Sequence, residues 1–238
     1  NNMIMWTNKE LESILLEIEK RKRDYWITTF KPFGMQKNLL DDMTRDAVIP
    51  FDERARFRLY WGWNWSWKTS IAMYITSLFA IWNESEKYWL PYIWNKNNIW
   101  VLTESWSNVV SVIEPALLWD YSITKIPDEL VKNIHYDNKI MKGIELTNWC
   151  RIHIKTYDQR RTKIQWGNPD LLVLDEEPIN SDTFLEILAR IRKKNVEMVW
   201  ALTPLSWRTR LYDFFFWSEN SELKSKCKVY HVNSIAVS

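Results

Sequence analysis

Two separated groups of residues carry the polar chemistry of this chain. Gly62, Lys68 and Thr69 fall on the pattern G-x-x-x-x-G-K-[ST], and apolar residues 70–81 follow as the helix that such a turn opens. Successive backbone N–H groups of this kind of loop wrap a phosphate at a helix N-terminus, where the macrodipole favours anions. On that template Gly62, Asn64, Ser66, Trp67, Lys68, Thr69 and Ser70 line the phosphate cradle. Further along, Asp175, Glu176 and Glu177 gather directly after Leu171-Leu172-Val173-Leu174. Open α/β sheets place their ligands at the carboxyl ends of such strands. There Asp175 can belong to a Mg²⁺ shell and Glu176 can polarise an attacking water. The bland alternative is an acidic helix start capped by Ser181 or Asp182.

The loop departs from its template at one position. Trp67 stands where the second glycine belongs. Glycine there lets the backbone take left-handed torsions close to the ligand, and a side chain forced into them costs about 1–2 kcal/mol. The composition bears on this misfit. The chain has 17 Trp and 4 Gly, where ordinary usage gives roughly 17 glycines. Tryptophans also sit at turn-like places: Asn148-Trp149 lies between two strand-like runs, where Asn-Gly is the strongest short hairpin signal. Trp207 and Trp217 adjoin serines at element boundaries, and Trp119 follows an apolar run. The pattern fits a codon, such as UGA, that some genetic codes read as glycine and others as tryptophan. A genuinely Trp-rich chain with an altered loop is the rival.

The elements that must position these groups alternate. A helical stripe over residues 8–25 (Leu11, Ile14, Leu15, Ile18) ends in Lys20-Arg21-Lys22-Arg23, a solvated helix end or a phosphate contact. A Pro/Gly turn at 30–36 precedes a helix over 37–45. Strand 55–60, the loop and helix 70–82 come next, then strand 98–103 and helix 107–118. Residues 140–146 and 150–156 read as a hairpin, and 157–169 as a polar segment carrying Arg160 and Arg161. Strand 171–174, helix 183–194, strand 196–203, helix 208–216 and strand 228–237 complete the order. Four apolar residues in a row at 171–174 fit a strand buried on both faces. The alternation predicts an α/β fold, a mainly parallel sheet flanked by helices with an inserted β-hairpin.

Composition excludes several classes. A length of 238 residues fits one large domain, or one plus a short arm, and 46% hydrophobic content supports a full core. The net charge of +2 leaves any nucleic-acid contact to local patches. Cys150 and Cys227 suit a reducing compartment, and His135, His153 and His231 lack metal spacing. No apolar run reaches the roughly 18 residues of a membrane span. The start at Asn-Asn-Met points to a piece of a longer reading frame.

Over roughly residues 30–238 the chain resembles the ATPase domain of tailed-phage terminase large subunits, P-loop motors of the RecA/ASCE type. The resemblance rests on Pro32 and Gln36, on the Walker A loop from Gly62 to Thr69, and on the Walker B strand with Glu176. It rests also on Ala201-Leu202-Thr203-Pro204, whose continuation Leu205-Ser206-Trp207 again has tryptophan in the family's glycine position. It implies ATP and Mg²⁺ as cofactors. Lys68 would neutralise the β- and γ-phosphates, Thr69 and Asp175 would hold the metal, and Glu176 would be catalytic. Gln36 would contact adenine, Thr203 would couple hydrolysis to motion, and Arg160 or Arg161 would supply an arginine finger. Residues 1–54 would form an N-terminal arm and 55–238 the ATPase core, with the nuclease domain absent. The implied partners are double-stranded DNA, portal protein, a small terminase subunit and further copies in a ring, with no membrane, in the cytoplasm of a bacterial host.

Two other classes fit parts of the same pattern. Asp175-Glu176-Glu177 also resembles the DExx box of superfamily-two helicases, which need a second RecA-like domain for which the chain leaves no room. Taken literally, the tryptophans describe a degenerate, non-hydrolysing fold that serves as a DNA-binding or assembly module.

Overall fold

Strand β1 (Phe57–Gly62) is buried at every position except the half-buried Trp61. Its companions explain why: the computed structural model sets it between two parallel neighbours inside an eight-stranded sheet. The structure describes residues 12–16, 31–32, 34–62, 68–84, 97–119, 122–157, 168–178, 183, 186–187, 196–203, 215 and 224–232. The other strands are β2 (Asn98–Thr103), β3 (Val131–Asp137), β4 (Ile140–Leu146), β5 (Arg151–Thr156), β6 (Leu171–Asp175), β7 (Glu197–Leu202) and β8 (Cys227–Val232). Their order is β3-β4-β5-β2-β6-β7-β1-β8. All neighbours from β5 to β8 run parallel, and β3-β4-β5 are antiparallel.

Side-chain alternation along the central strands builds two cores. Leu171 and Val173 of β6 join Ile99, Val101 and helix α2 (Lys68–Ala80) on one face. Leu172 and Leu174 join Phe57, Leu59, Trp100 and Trp200 on the other. A strand with an apolar layer on each side needs the unbroken apolar run that β6 has. Helix α2 is buried from Ile71 to Ala80 and carries little amphipathic contrast, as a helix lying across the sheet beneath other elements must.

Helix α1 (Met35–Asp46) buries Leu39, Leu40 and Met43 against the first core. An ion network at the opposite end of the strands from the carboxylate cluster ties it down. Arg58 of β1 reaches Asp46 at 2.7 Å, and Arg54 reaches Glu197 at 2.6 Å, all four side chains being buried. Residues 12–16 are helical and exposed; the rest of the expected 8–25 helix, with its basic run, lies outside the described residues.

Three features differ from the sequence expectation. The hairpin is not a separate ribbon: β5 pairs with β2, so β4 and β5 continue the plane of the main sheet. A further strand, β3, lines the edge, joined to β4 by Asn138-Lys139, both at positive φ as a type I′ turn requires. The expected 107–118 helix is also broken. Short α3 (Trp106–Asn108) passes into a π turn (Val109–Ile113) before α4 (Glu114–Leu118). The Glu114 N–H reaches back to the Val109 carbonyl just ahead of Pro115, which has no N–H to continue the normal ladder.

Candidate functional site

Asp175 is the last residue of β6, and Lys68 and Thr69 are the first two of α2. The helix packs against β6 and β7, which brings the two groups together across the carboxyl edge of the sheet. Thr69 Oγ1 donates to Asp175 Oδ1 at 2.7 Å. The other carboxylate oxygen, Oδ2, accepts from Asn108 Nδ2 at 3.0 Å and Thr103 Oγ1 at 3.3 Å. Asn108 also donates to Thr103 Oγ1. Asp175 is thus held by the ends of β2, α3 and α2 at once.

Glu176 is positioned more tightly still. Its φ is +64°, a left-handed torsion unusual for a side-chain-bearing residue. Its N–H donates to the Ala201 carbonyl at 2.9 Å. Its carbonyl accepts from Trp200 Nε1 at 2.8 Å and from the Tyr157 hydroxyl at 3.0 Å. Its carboxylate accepts from the Thr203 N–H at 2.9 Å and the Thr203 hydroxyl at 2.7 Å. Backbone strain of this sort costs about 1–3 kcal/mol and persists only where the surroundings over-determine it. Here they do.

The electrostatics follow from burial. Desolvation pushes the Asp175 carboxyl above the usual carboxylate range; the Thr69 bond opposes this and the Glu176 charge adds to it. Burial lowers the Lys68 ammonium, while the charges of Glu176 and Asp175 pull it back up. Both carboxylates therefore act on the Lys68 charge. Burial and the same acidic charges drive the Tyr157 hydroxyl well above its ordinary value, so it stays a donor.

Of the residues singled out from sequence, Lys68, Thr69, Asp175, Glu176 and Thr203 come together here. Gly62 is buried at the end of β1, and Ser70 is half-buried in α2. Gln36 lies in the first turn of α1 and is fully buried. Asn64, Ser66, Trp67, Arg160 and Arg161 lie outside the described residues. Thr103, Asn108, Tyr157 and Trp200 were missed, since nothing in the sequence says that β2 lies beside β6. A cue existed for Thr103 alone: like Thr203, it ends an apolar strand run.

A threonine hydroxyl and a carboxylate are hard oxygen donors, the type Mg²⁺ takes when most of its shell comes from water and substrate phosphates. Among the described residues no cluster of three or more His, Cys, Asp or Glu forms a closed metal cage. No helix among them is long and apolar enough to cross a membrane. No family model matches the chain, and no curated protein matches it.

Proposed function

We propose that this chain is a P-loop ATPase of the RecA/ASCE type, the ATPase domain of a DNA-packaging motor of the terminase large-subunit kind. The observation that carries the reading is the convergence of Lys68 and Thr69 with Asp175 and Glu176 across one sheet edge, with Thr69 bonded to Asp175. Lys68 neutralises β- and γ-phosphate oxygens, and Thr69 and Asp175 would hold a Mg²⁺ ion. The bound metal supplies charge neutralisation on the phosphates. Glu176, fixed by Thr203, orients a water in line with the γ-phosphorus and accepts its proton as the bond to ADP breaks. Gln36 recognises adenine, and Arg160 or Arg161 serves a neighbouring subunit as its arginine finger.

Thr203 grips the carboxylate that hydrolysis needs and follows directly on the last residue of β7. It therefore relays turnover to the motor's double-stranded DNA. The setting is a homo-oligomeric ring on a portal protein, served by a small terminase subunit, in the cytoplasm of a bacterial host.

The test is Glu176→Gln in whichever background binds nucleotide, the chain as it stands or its triple glycine variant, with nucleotide binding and ATP turnover measured on the same preparation. The expected result is retained binding with turnover down about 10²–10⁴-fold, the share a positioned general base contributes. Undiminished turnover refutes the assignment. Because Trp67 takes the second glycine's place in the sequence pattern, the same assays on a Trp63→Gly, Trp65→Gly, Trp67→Gly variant separate the readings. Binding restored only there supports the motor; binding in neither protein supports the degenerate module.

A further inference from the structure

The antiparallel end of the sheet takes no part in the chemistry above, yet its cations converge on one face. Strand register aligns side chains in rows across β3, β4, β5 and β2. One row is Asn133, Glu145, Arg151 and Asn98; the next is His135, Gly143, His153 and Trp100. Residues two apart on a strand share a face, so Lys155 continues it, its ammonium 3.9 Å from the centre of the Trp100 ring. Gly143 leaves a gap between the two imidazoles, a cavity of about 350 Å³ bordered by His135, Lys142, Glu145, Arg151 and His153. A side chain is excluded at Gly143, because a Cβ there would meet the Ile152 carbonyl oxygen of β5 at 2.5 Å.

The charge on this face is lopsided. Glu145 is approached by Lys132 at 3.0 Å, Arg151 at 3.8 Å and His135 at 3.9 Å. With Lys155, three permanent cations stand against Glu145 among the described residues of β3, β4 and β5; the next carboxylate along the row, Asp170, is taken up by the Asn97 and Asn98 N–H groups. Burial first, and then the charges of Lys155, Arg151 and His135, hold the His153 imidazole below its ordinary range. Arg151 and His135 keep 60% and 57% of their side chains in solvent. Arg151 and Lys155 lie four residues apart on β5, roughly 13 Å, the axial rise of about four phosphates along one DNA strand.

We propose that this face of β3, β4 and β5 holds the phosphate backbone of double-stranded DNA. The choice of DNA as partner rests on the motor reading; the site itself rests on the antiparallel strands β3, β4 and β5. A guanidinium fork and a point-charge ammonium are the groups that grip phosphate oxygens, and contacts of this kind position a duplex without reading its bases. Cations presented from paired strands of one sheet give sequence-independent grip, which is what a translocating motor requires.

The experiment is binding of the chain to a short random-sequence duplex across a salt series. Arg151→Glu is expected to weaken binding by about tenfold or more and to flatten the log–log salt slope by about 0.9 for each phosphate that is no longer neutralised. Glu145→Gln is expected to tighten it. Melting temperatures certify that both variants are folded, and Arg151→Gln, milder in charge, serves if Arg151→Glu does not fold. Unchanged affinity and slope in the folded Arg151 variant overturn the proposal. So does weaker binding in Glu145→Gln, or an Arg151-dependent preference for single strands or RNA. Full ATP turnover in Glu176→Gln alongside Arg151-dependent duplex binding would sink the assignment of Glu176 as the general base and leave the DNA face standing.

Discussion

Replacing Trp149 separates backbone strain from side-chain packing at a single exposed turn. Trp149 connects β4 to β5 with φ at +70° and 71% of its surface in solvent. The turn cannot relax, because Asn148 anchors it. The Asn148 amide donates to the Ala80 carbonyl and to Asn83 Oδ1, each at 2.7 Å, and its oxygen accepts the Cys150 N–H at 3.0 Å. A side chain held in that torsion costs about 1–2 kcal/mol. The ring recovers part of this from the Lys132 ammonium, 4.7 Å from its centre, about 0.5–1 kcal/mol at an exposed site. Trp149→Gly and Trp149→Ala lose the ring equally, so their difference isolates the torsion. Glycine relieves the strain but frees the unfolded chain by about 0.4–1 kcal/mol. The net advantage of Gly over Ala is then about 0.5–1 kcal/mol, or roughly 1–4 °C for a chain of this size. Thermal melts of the three proteins measure it. An Ala variant that melts with or above the Gly variant refutes the strain argument, and with it the reading of this position as a glycine seat.

Three other perturbations test other parts of the molecule. Burial holds the Asp175 carboxyl above 3.8, so the folded protein binds its proton before the unfolded chain does, and stability falls as pH rises through that window. Asp175→Asn should remove this slope in thermal melts across acid pH and raise the melting point of the nucleotide-free protein while abolishing Mg²⁺-nucleotide binding; a lower melting point at neutral pH counts against the buried-charge account. Glu197→Gln strips Arg54 and Arg58 of their shared carboxylate and should cost about 3–5 kcal/mol in urea titrations, whereas a loss under about 1 kcal/mol would mean the network is not dry. Burial pushes the Cys150 and Cys227 thiols to about 12, so alkylation at neutral pH should proceed only as the protein unfolds, and fast native labelling would contradict the packing.

What the sequence disclosed depended on whether the signal was local. The β6 run and the Lys68-Thr69 pair are contiguous, so their buried strand and helix start were legible from order alone. Asn148-Trp149 was legible as a turn from the asparagine and the flanking strands, and the left-handed torsion is there. Trp119, read by the same logic, sits at φ −85° in extended backbone and needs no glycine. Strand β3 was missed because it is an edge strand exposed at most positions; Val131-Lys132-Asn133-Ile134-His135-Tyr136-Asp137 shows no clean alternation, and its bulges break what there is. Thr103 and Asn108 reach Asp175 only because β2 is inserted next to β6, a long-range fact of sheet order.

Outside the Asn138-Lys139 turn, two side-chain-bearing residues among those described hold left-handed torsions, and their surroundings are opposite in kind. Trp149 projects into solvent with one cation over its ring, and nothing in its own side chain requires the torsion; the turn imposes it. Glu176 is fixed through its N–H, its carbonyl and both carboxylate oxygens by Ala201, Trp200, Tyr157 and Thr203. Five hydrogen bonds at about 1 kcal/mol each exceed a strain of about 1–3 kcal/mol. Strain that a structure merely tolerates is relieved by glycine. At Glu176 glycine would also delete the carboxylate that Thr203 holds, and that bond joins the end of β6 to the end of β7. The same torsion is thus imposed by the turn at Trp149 and, at the sheet edge, held by the bonds that fix the Glu176 carboxylate to Thr203, where its charge acts on Asp175 and Lys68.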